Sequence, residues 1–214
     1  MIATQNAGDA ELAQVLPKPY VENSVYTKAM GLLNSGKRPT LMAFDLDYTM
    51  WPRDCDLNVR PPFCSYEDRV YDVFGSDASP YKDVADLLGA IVDSHIKVAF
   101  LSRNPSYMAV ESLLRACPMN SKKFGVEGKL WDAVESRDYF HSYSSGGSGK
   151  GKDKHFAALL NMTGVDFKEI IFFDDLPENI EAAKAQGSTA VLVSKATGLD
   201  MSAFTQGLVQ WRSA

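Results

Sequence analysis

The chain has 214 residues, 45% hydrophobic and 23% charged, with a net charge of −5 and a pI near 5.2. A length of this order supports one sizeable core, and the mild acidity argues against a nucleic-acid-binding protein, whose footprint is a basic patch. No run approaches the ~18 consecutive apolar residues of a membrane span. The first residues, MIATQNAGDAELAQVLPKP, lack the basic-then-apolar pattern of a secretory signal. Cys55, Cys64 and Cys117 have no metal-ligand spacing, and an odd number of thiols fits a reducing compartment. The expectation is a cytoplasmic globular protein.

Residues 1–22, with Pro17 and Pro19, read as a tail, and Ser24 to Leu33 as a short helix ended by Gly36. Thr40–Phe44 is a continuous apolar run, the mark of a strand buried on both faces. Residues 50–80 carry Pro52, Pro61, Pro62, Gly75 and Pro80 and read as a small irregular flap. From Ser79-Pro80, the positions Val84, Leu87, Leu88, Ile91 and Val92 have helical spacing. Val98–Leu101 is a second buried strand, and Pro105 opens another helix. A short helix near Lys129–Val134 and a strand near Tyr139–Tyr143 follow. The loop SSGGSGKGK precedes a helix at Asp153–Met162, and Ile170–Phe173 is a third apolar strand. Pro177–Gln186 reads as a helix stopped by Gly187, Thr189–Val193 as a strand, and Leu199–Trp211 as a closing helix. This alternation predicts an α/β fold: a Rossmann-like parallel sheet with helices on both faces, whose ligands sit beyond the carboxyl ends of the strands.

The polar residues that close the three apolar strands are Asp45 and Asp47, Ser102-Arg103, and Asp174-Asp175. A parallel sheet brings these ends to one edge. Four carboxylates there repel one another strongly at low dielectric, and a divalent cation is the economical counter-charge. All-oxygen ligands with a phosphate select Mg²⁺, with Asp45, Asp47 and Asp174 as the expected ligands. Asp174 is preferred over Asp175 because it comes first after the strand. Asp175 is either a partner of the lysine behind the ligands or a ligand itself. Asp45, at the strand tip, suits the nucleophile that forms an aspartyl-phosphate, and Asp47 suits the acid that protonates the leaving alcohol. Charge on the equatorial oxygens calls for surrounding donors, which Ser102, Lys152 and the main chain near Leu46 can supply. Ser102 can equally cap the following helix, and Arg103 can be a solvated charge or a substrate contact. His95, His141 and His155 read as structural or surface residues, and Trp51 as core.

FDLDYTMWP, PPF, LSRN, KHF, TGVDF and IIFFDDLPENI, in this order from Leu41 to Val193, with TQGL near Thr205, resemble the magnesium-dependent phosphatase family of the haloacid dehalogenase (HAD) superfamily. The resemblance implies a Mg²⁺-dependent phosphatase without a large cap domain. It further implies action on phosphotyrosine or on sugar-phosphate adducts such as fructosamine-6-phosphates, carried by small molecules or by phosphorylated or glycated proteins. Residues 39–214 would form that domain, as a monomer without nucleic-acid or membrane partners, with 1–38 as an N-terminal tail and short helix. The match through Lys152-x-x-His155-Phe156 favours Lys152 over Lys150 and Lys154 as the phosphate lysine. Three departures stand out: residues 117–139 are longer than the pattern, Asn104 replaces the usual Thr, and residues 1–38 have no counterpart.

Two rivals share these residues. Gly146 to Lys152 has the spacing of a nucleotide-binding phosphate loop, but Asp153 stands where that loop needs Ser or Thr. A non-catalytic phosphate-binding scaffold on the same fold would most simply lack Asp45 or Asp47.

Overall fold

The structure, a computed structural model, describes residues 24–125, 127–135, 139–142 and 152–214. The expected tail over 1–22, most of the Gly/Ser-rich loop and Lys150 lie outside the described residues.

Apolar runs with no polar face can only be satisfied as strands covered on both sides, and this is where they lie. Strands β1 (Leu41–Phe44), β4 (Lys97–Ser102), β5 (Phe140–Ser142), β6 (Ile170–Asp174) and β7 (Thr189–Leu192) form one sheet in the order β5-β4-β1-β6-β7, and every pairing is parallel. All four residues of β1 and all five of β6 are buried. The register sets Phe44 opposite Phe100 on one side and Phe173 on the other. The Phe44 and Phe173 rings stack at 5.3 Å. The chain runs outward from β1 through β4 to β5, then crosses back to β6 and β7. The strand order therefore reverses beside β1, where open α/β sheets bind ligands.

The helices are α1 (Ser24–Asn34), α2 (Val84–Asp93), α3 (Tyr107–Ala116), α4 (Asp153–Thr163), α5 (Pro177–Ala185) and α6 (Met201–Ser213). Helix α1 packs on α2 and α6, and its Tyr26, Ala29 and Leu33 enter the same core as the sheet. Helix α2 begins four residues after Pro80 rather than at it, because Tyr81 first ties the chain to the Met50 carbonyl at 2.9 Å. Helix α4 ends at Gly164 in the left-handed region, φ +64, the usual conformation past a helix C-terminus. The residues near 129–134 form a single 3-10 turn, Leu130–Ala133.

The flap is not wholly irregular. It contains a two-stranded antiparallel hairpin, β2 (Cys64–Tyr66) and β3 (Arg69–Tyr71), turned at Glu67-Asp68. Among the described residues, nothing larger intervenes between β1 and α2.

Gly89 shows how tightly α2 is held. A Cβ there would lie 1.7 Å from the Asn120 carbonyl oxygen, and the chain at Asn120 is itself bonded to Ala85 and Asp86 of α2. Gly89→Ala gains about 1 kcal/mol of helix propensity, but overpacking against main chain costs about 2–3 kcal/mol. The clash wins. Urea unfolding should show a net loss of stability, and a stabilised variant would contradict this contact.

Candidate active site

Asp45 follows β1 directly and continues its ladder, donating its N–H to the Phe173 carbonyl at 2.9 Å. Ser102 ends β4 and Asp174 ends β6, so the parallel sheet delivers all three to one edge. Lys152, immediately before α4, is fully buried and reaches that edge from the side. Its ammonium donates to Asp45 Oδ1 and, at 2.8 Å, to Asp174 Oδ2. His155 is also fully buried, and its Nε2 lies 2.8 Å from the Ser102 carbonyl oxygen, fixing the start of α4 against the end of β4. Lys154, by contrast, is exposed.

Asp174 is held from three directions. Asn179 donates to both of its oxygens at 2.9 Å, Leu176 N–H donates to Oδ1 at 2.8 Å, and Lys152 takes Oδ2. Asp175 is not a partner of Lys152. Successive residues at a strand end point to opposite sides, so Asp175 turns to Lys195, in the loop after β7, at 3.1 Å. One carboxylate oxygen each from Asp45, Asp174 and Asp175 nevertheless lie within 4.8 Å of one another.

Asp47 sits where the chain has left the sheet, and its carboxylate stands apart from that trio. Its Oδ1 accepts from Trp51 Nε1 at 2.7 Å and from Cys55 N–H at 3.0 Å. Its Oδ2 accepts from Asn104 Nδ2 at 2.8 Å. Asn104 is in turn fixed by its own N–H to Ser102 Oγ at 3.1 Å and by Ser106 N–H to its Oδ1 at 2.9 Å. Ser102 thus closes a local turn rather than capping α3, which starts at Tyr107. Leu46 is buried, and its carbonyl accepts from Thr49 and Met50. Trp51 is fully buried, as expected of a core residue. Arg103 is half-exposed and lies 3.8 Å from Glu178.

Burial pushes the Asp45 carboxyl well above the usual range; Lys152 opposes this, and Asp174 and Asp47 reinforce it. Burial works against the Lys152 ammonium, but Asp174 and Asp45 hold it above the ordinary lysine value. Burial likewise raises Asp47, against the hydrogen bonds from Asn104, Trp51 and Cys55. Four carboxylates (Asp45, Asp47, Asp174, Asp175) face two ammonium groups (Lys152, Lys195). Asp45, Asp174 and Asp175 bring three carboxylates together, and this oxygen-only donor set suits Mg²⁺.

Asn179 and Lys195 were not foreseen, and Asn104 stood out only as a departure from the family pattern. Asn179 follows Asp174 by five residues in LPENI, and Lys195 follows β7 on the same sheet edge. Scanning every strand end for polar residues would have found Lys195.

A family model described as Acid Phosphatase matches residues 37–214. Magnesium-dependent phosphatase 1 of Homo sapiens is 31% identical over 177 residues, covering 82% of this chain and 89% of that protein. A HAD-like hydrolase superfamily protein of Schizosaccharomyces pombe is 30% identical over 151 residues, covering 68% and 81%. In structure, CbbY from Rhodobacter sphaeroides, solved in complex with phosphate, superposes with a TM-score of 0.52 at 14% identity, covering 80% of this chain and 99% of that one. That likeness concerns the fold alone. The sequence matches, the family model's over residues 37–214, place the chain in the acid phosphatase family, among the HAD-like magnesium-dependent phosphatases.

Proposed function

We propose that this protein is a cytoplasmic, Mg²⁺-dependent phosphomonoester hydrolase that works through an aspartyl-phosphate on Asp45. The observation that carries the reading is the placement of Asp45: a strand-tip carboxylate bonded to a buried lysine, grouped with Asp174 and Asp175, two residues before a separately anchored acid. Asp45, Asp174 and Asp175 are the proposed cation ligands. Asp175 is proposed in place of the expected Asp47 because its carboxylate lies within 4.8 Å of those of Asp45 and Asp174, a group to which Asp47 does not belong. When bound, Mg²⁺ neutralises the phosphate and keeps Asp45 ionised.

A carboxylate oxygen of Asp45 attacks phosphorus, and the bond to the leaving alcohol breaks. Asp47, whose burial favours its protonated form, gives that alcohol its proton. The resulting carboxylate then takes a proton from the water that attacks phosphorus, which releases inorganic phosphate and regenerates Asp45. Lys152, Ser102 and the main chain at Leu46 surround the equatorial oxygens.

The short flap favours a phosphate carried on a bulky group: phosphotyrosine or a fructosamine-type sugar phosphate, with Arg103 beside it. An open site excludes water poorly and selects weakly among small phosphates. The test is a panel of kcat/KM values for a phosphotyrosyl peptide, fructosamine-6-phosphate, simple sugar phosphates and mononucleotides, with Mg²⁺ and with chelator. The first two should lead, and chelator should abolish turnover until Mg²⁺ is restored. A lead for mononucleotides would overturn the open-site reading, and full activity in chelator the cation site.

A further inference from the structure

Lys195 differs from Lys152 in one decisive respect. Lys152 is fully buried and bonded to two acids, so it cannot leave. The Lys195 side chain is 55% exposed while its partner Asp175 is 3% exposed. Asp175, which Lys195 neutralises, belongs to the three-acid group.

The main chain that carries Lys195 is fixed. Gly198 bonds back to Ser194 at 2.7 Å, and Leu199 N–H donates to the Thr49 carbonyl at 2.8 Å, next to the loop that bears Asp47. Tyr81 donates its hydroxyl to the Lys195 carbonyl. Gly198, at φ +59, lets the Tyr81 ring lie against this turn: a Cβ there would sit 2.0 Å from the ring. The Cα of Lys195 is thus held at the mouth while its long side chain keeps freedom to swing. While paired with Asp175, the ammonium also lies 4.9 Å from the centre of the Tyr48 ring, a contact that does not depend on the carboxylate. Asp175 holds the ammonium above its ordinary value, as a genuine counter-charge does.

We propose that Lys195 is an exchangeable counter-ion for the cation site: its ammonium neutralises Asp175 in the cation-free protein and swings out to solvent when a divalent cation takes that carboxylate. It is a positioning residue, not a catalytic one. This rests on the cation site argued above. Two consequences follow from charge alone. Without Lys195, the cation-free acid group is less well compensated and the protein is less stable. With the competitor gone, Mg²⁺ binds more tightly, by roughly three- to tenfold, the reach of a half-exposed ion pair.

The test is calorimetric titration of Mg²⁺ into wild type, Lys195→Met and Lys195→Arg, with thermal unfolding of each with and without Mg²⁺. Lys195→Met should bind Mg²⁺ more tightly than wild type, melt lower without it, and gain more from it. Lys195→Arg, which restores the charge, should return both towards wild type. Unchanged or weaker Mg²⁺ binding by Lys195→Met would overturn the proposal, because a residue that merely buttresses the loop loosens the site when shortened. Wild type that takes up no Mg²⁺ would overturn the proposal and the cation site together, whereas equal binding by wild type and Lys195→Met removes the proposal alone.

Discussion

Asp45→Asn should lower turnover of an aryl phosphate by about a thousandfold or more, the usual loss when a covalent nucleophile is removed, in a protein that still folds. An amide is a poor nucleophile, but it fits the site sterically. Burial already raises the Asp45 carboxyl well above the usual range, so an uncharged group costs the fold little there, and Lys152 keeps Asp174 as partner. Asp47→Asn should behave differently. Its amide keeps one acceptor for Trp51 and Cys55, but the other position turns an NH₂ towards the Asn104 amide. That amide cannot flip without losing Ser106 N–H. Loss of the acid and base should slow both steps, and with a good leaving group the phosphorylated enzyme should accumulate as a burst. Rapid-quench kinetics on both variants is the measurement. Losses of tenfold or less in both, only about 1.4 kcal/mol of barrier, would mark these acids as structural.

Lys152→Ala should fail in stability as well as activity. The lysine is fully buried between Asp45 and Asp174, and removing one partner from a buried ionic group typically costs about 3–5 kcal/mol. For a chain of this size that corresponds to a fall in Tm of roughly 6–20 °C. The cost should depend on pH in a definite direction. Carboxyls whose folded-state pKa is raised bind protons more readily folded than unfolded, so their stability is present at low pH and lost as pH rises. Burial and neighbouring acids already raise Asp45, and without Lys152 nothing opposes them. The deficit should therefore be smallest near pH 5 and deepen towards pH 8, and Mg²⁺ should recover part of it. Exposed Lys154, replaced by Ala, should change little. Denaturant titrations of both variants across that range test this. A pH-independent deficit would mean that Lys152 supports the fold by packing rather than by charge.

The sequence by itself determined the centre of the sheet and the edge at which its acids gather. LMAF, VAFL and IIFF have no polar face, so each had to be a doubly covered strand, and the acids that close the first and third had to meet at one edge. The family match from Leu41 to Val193 covers those same stretches. The hairpin at Cys64–Tyr71 was not legible: its strands are three residues each, largely exposed, and turned at Glu67-Asp68 without glycine. Which acid pairs with which cation was also beyond the sequence. Adjacent Asp174 and Asp175 look alike in one dimension, but the strand's alternation sends one to Lys152 and the other to Lys195, 43 residues apart along the chain. Trp51 and Asn104 became the anchors of Asp47 only when the loops after β1 and β4 were set side by side. Strand identity is written in local pattern because burial of a short apolar run needs no knowledge of its neighbours. Hydrogen-bond partners are decided by register and side-chain direction, and those exist only once the sheet is assembled.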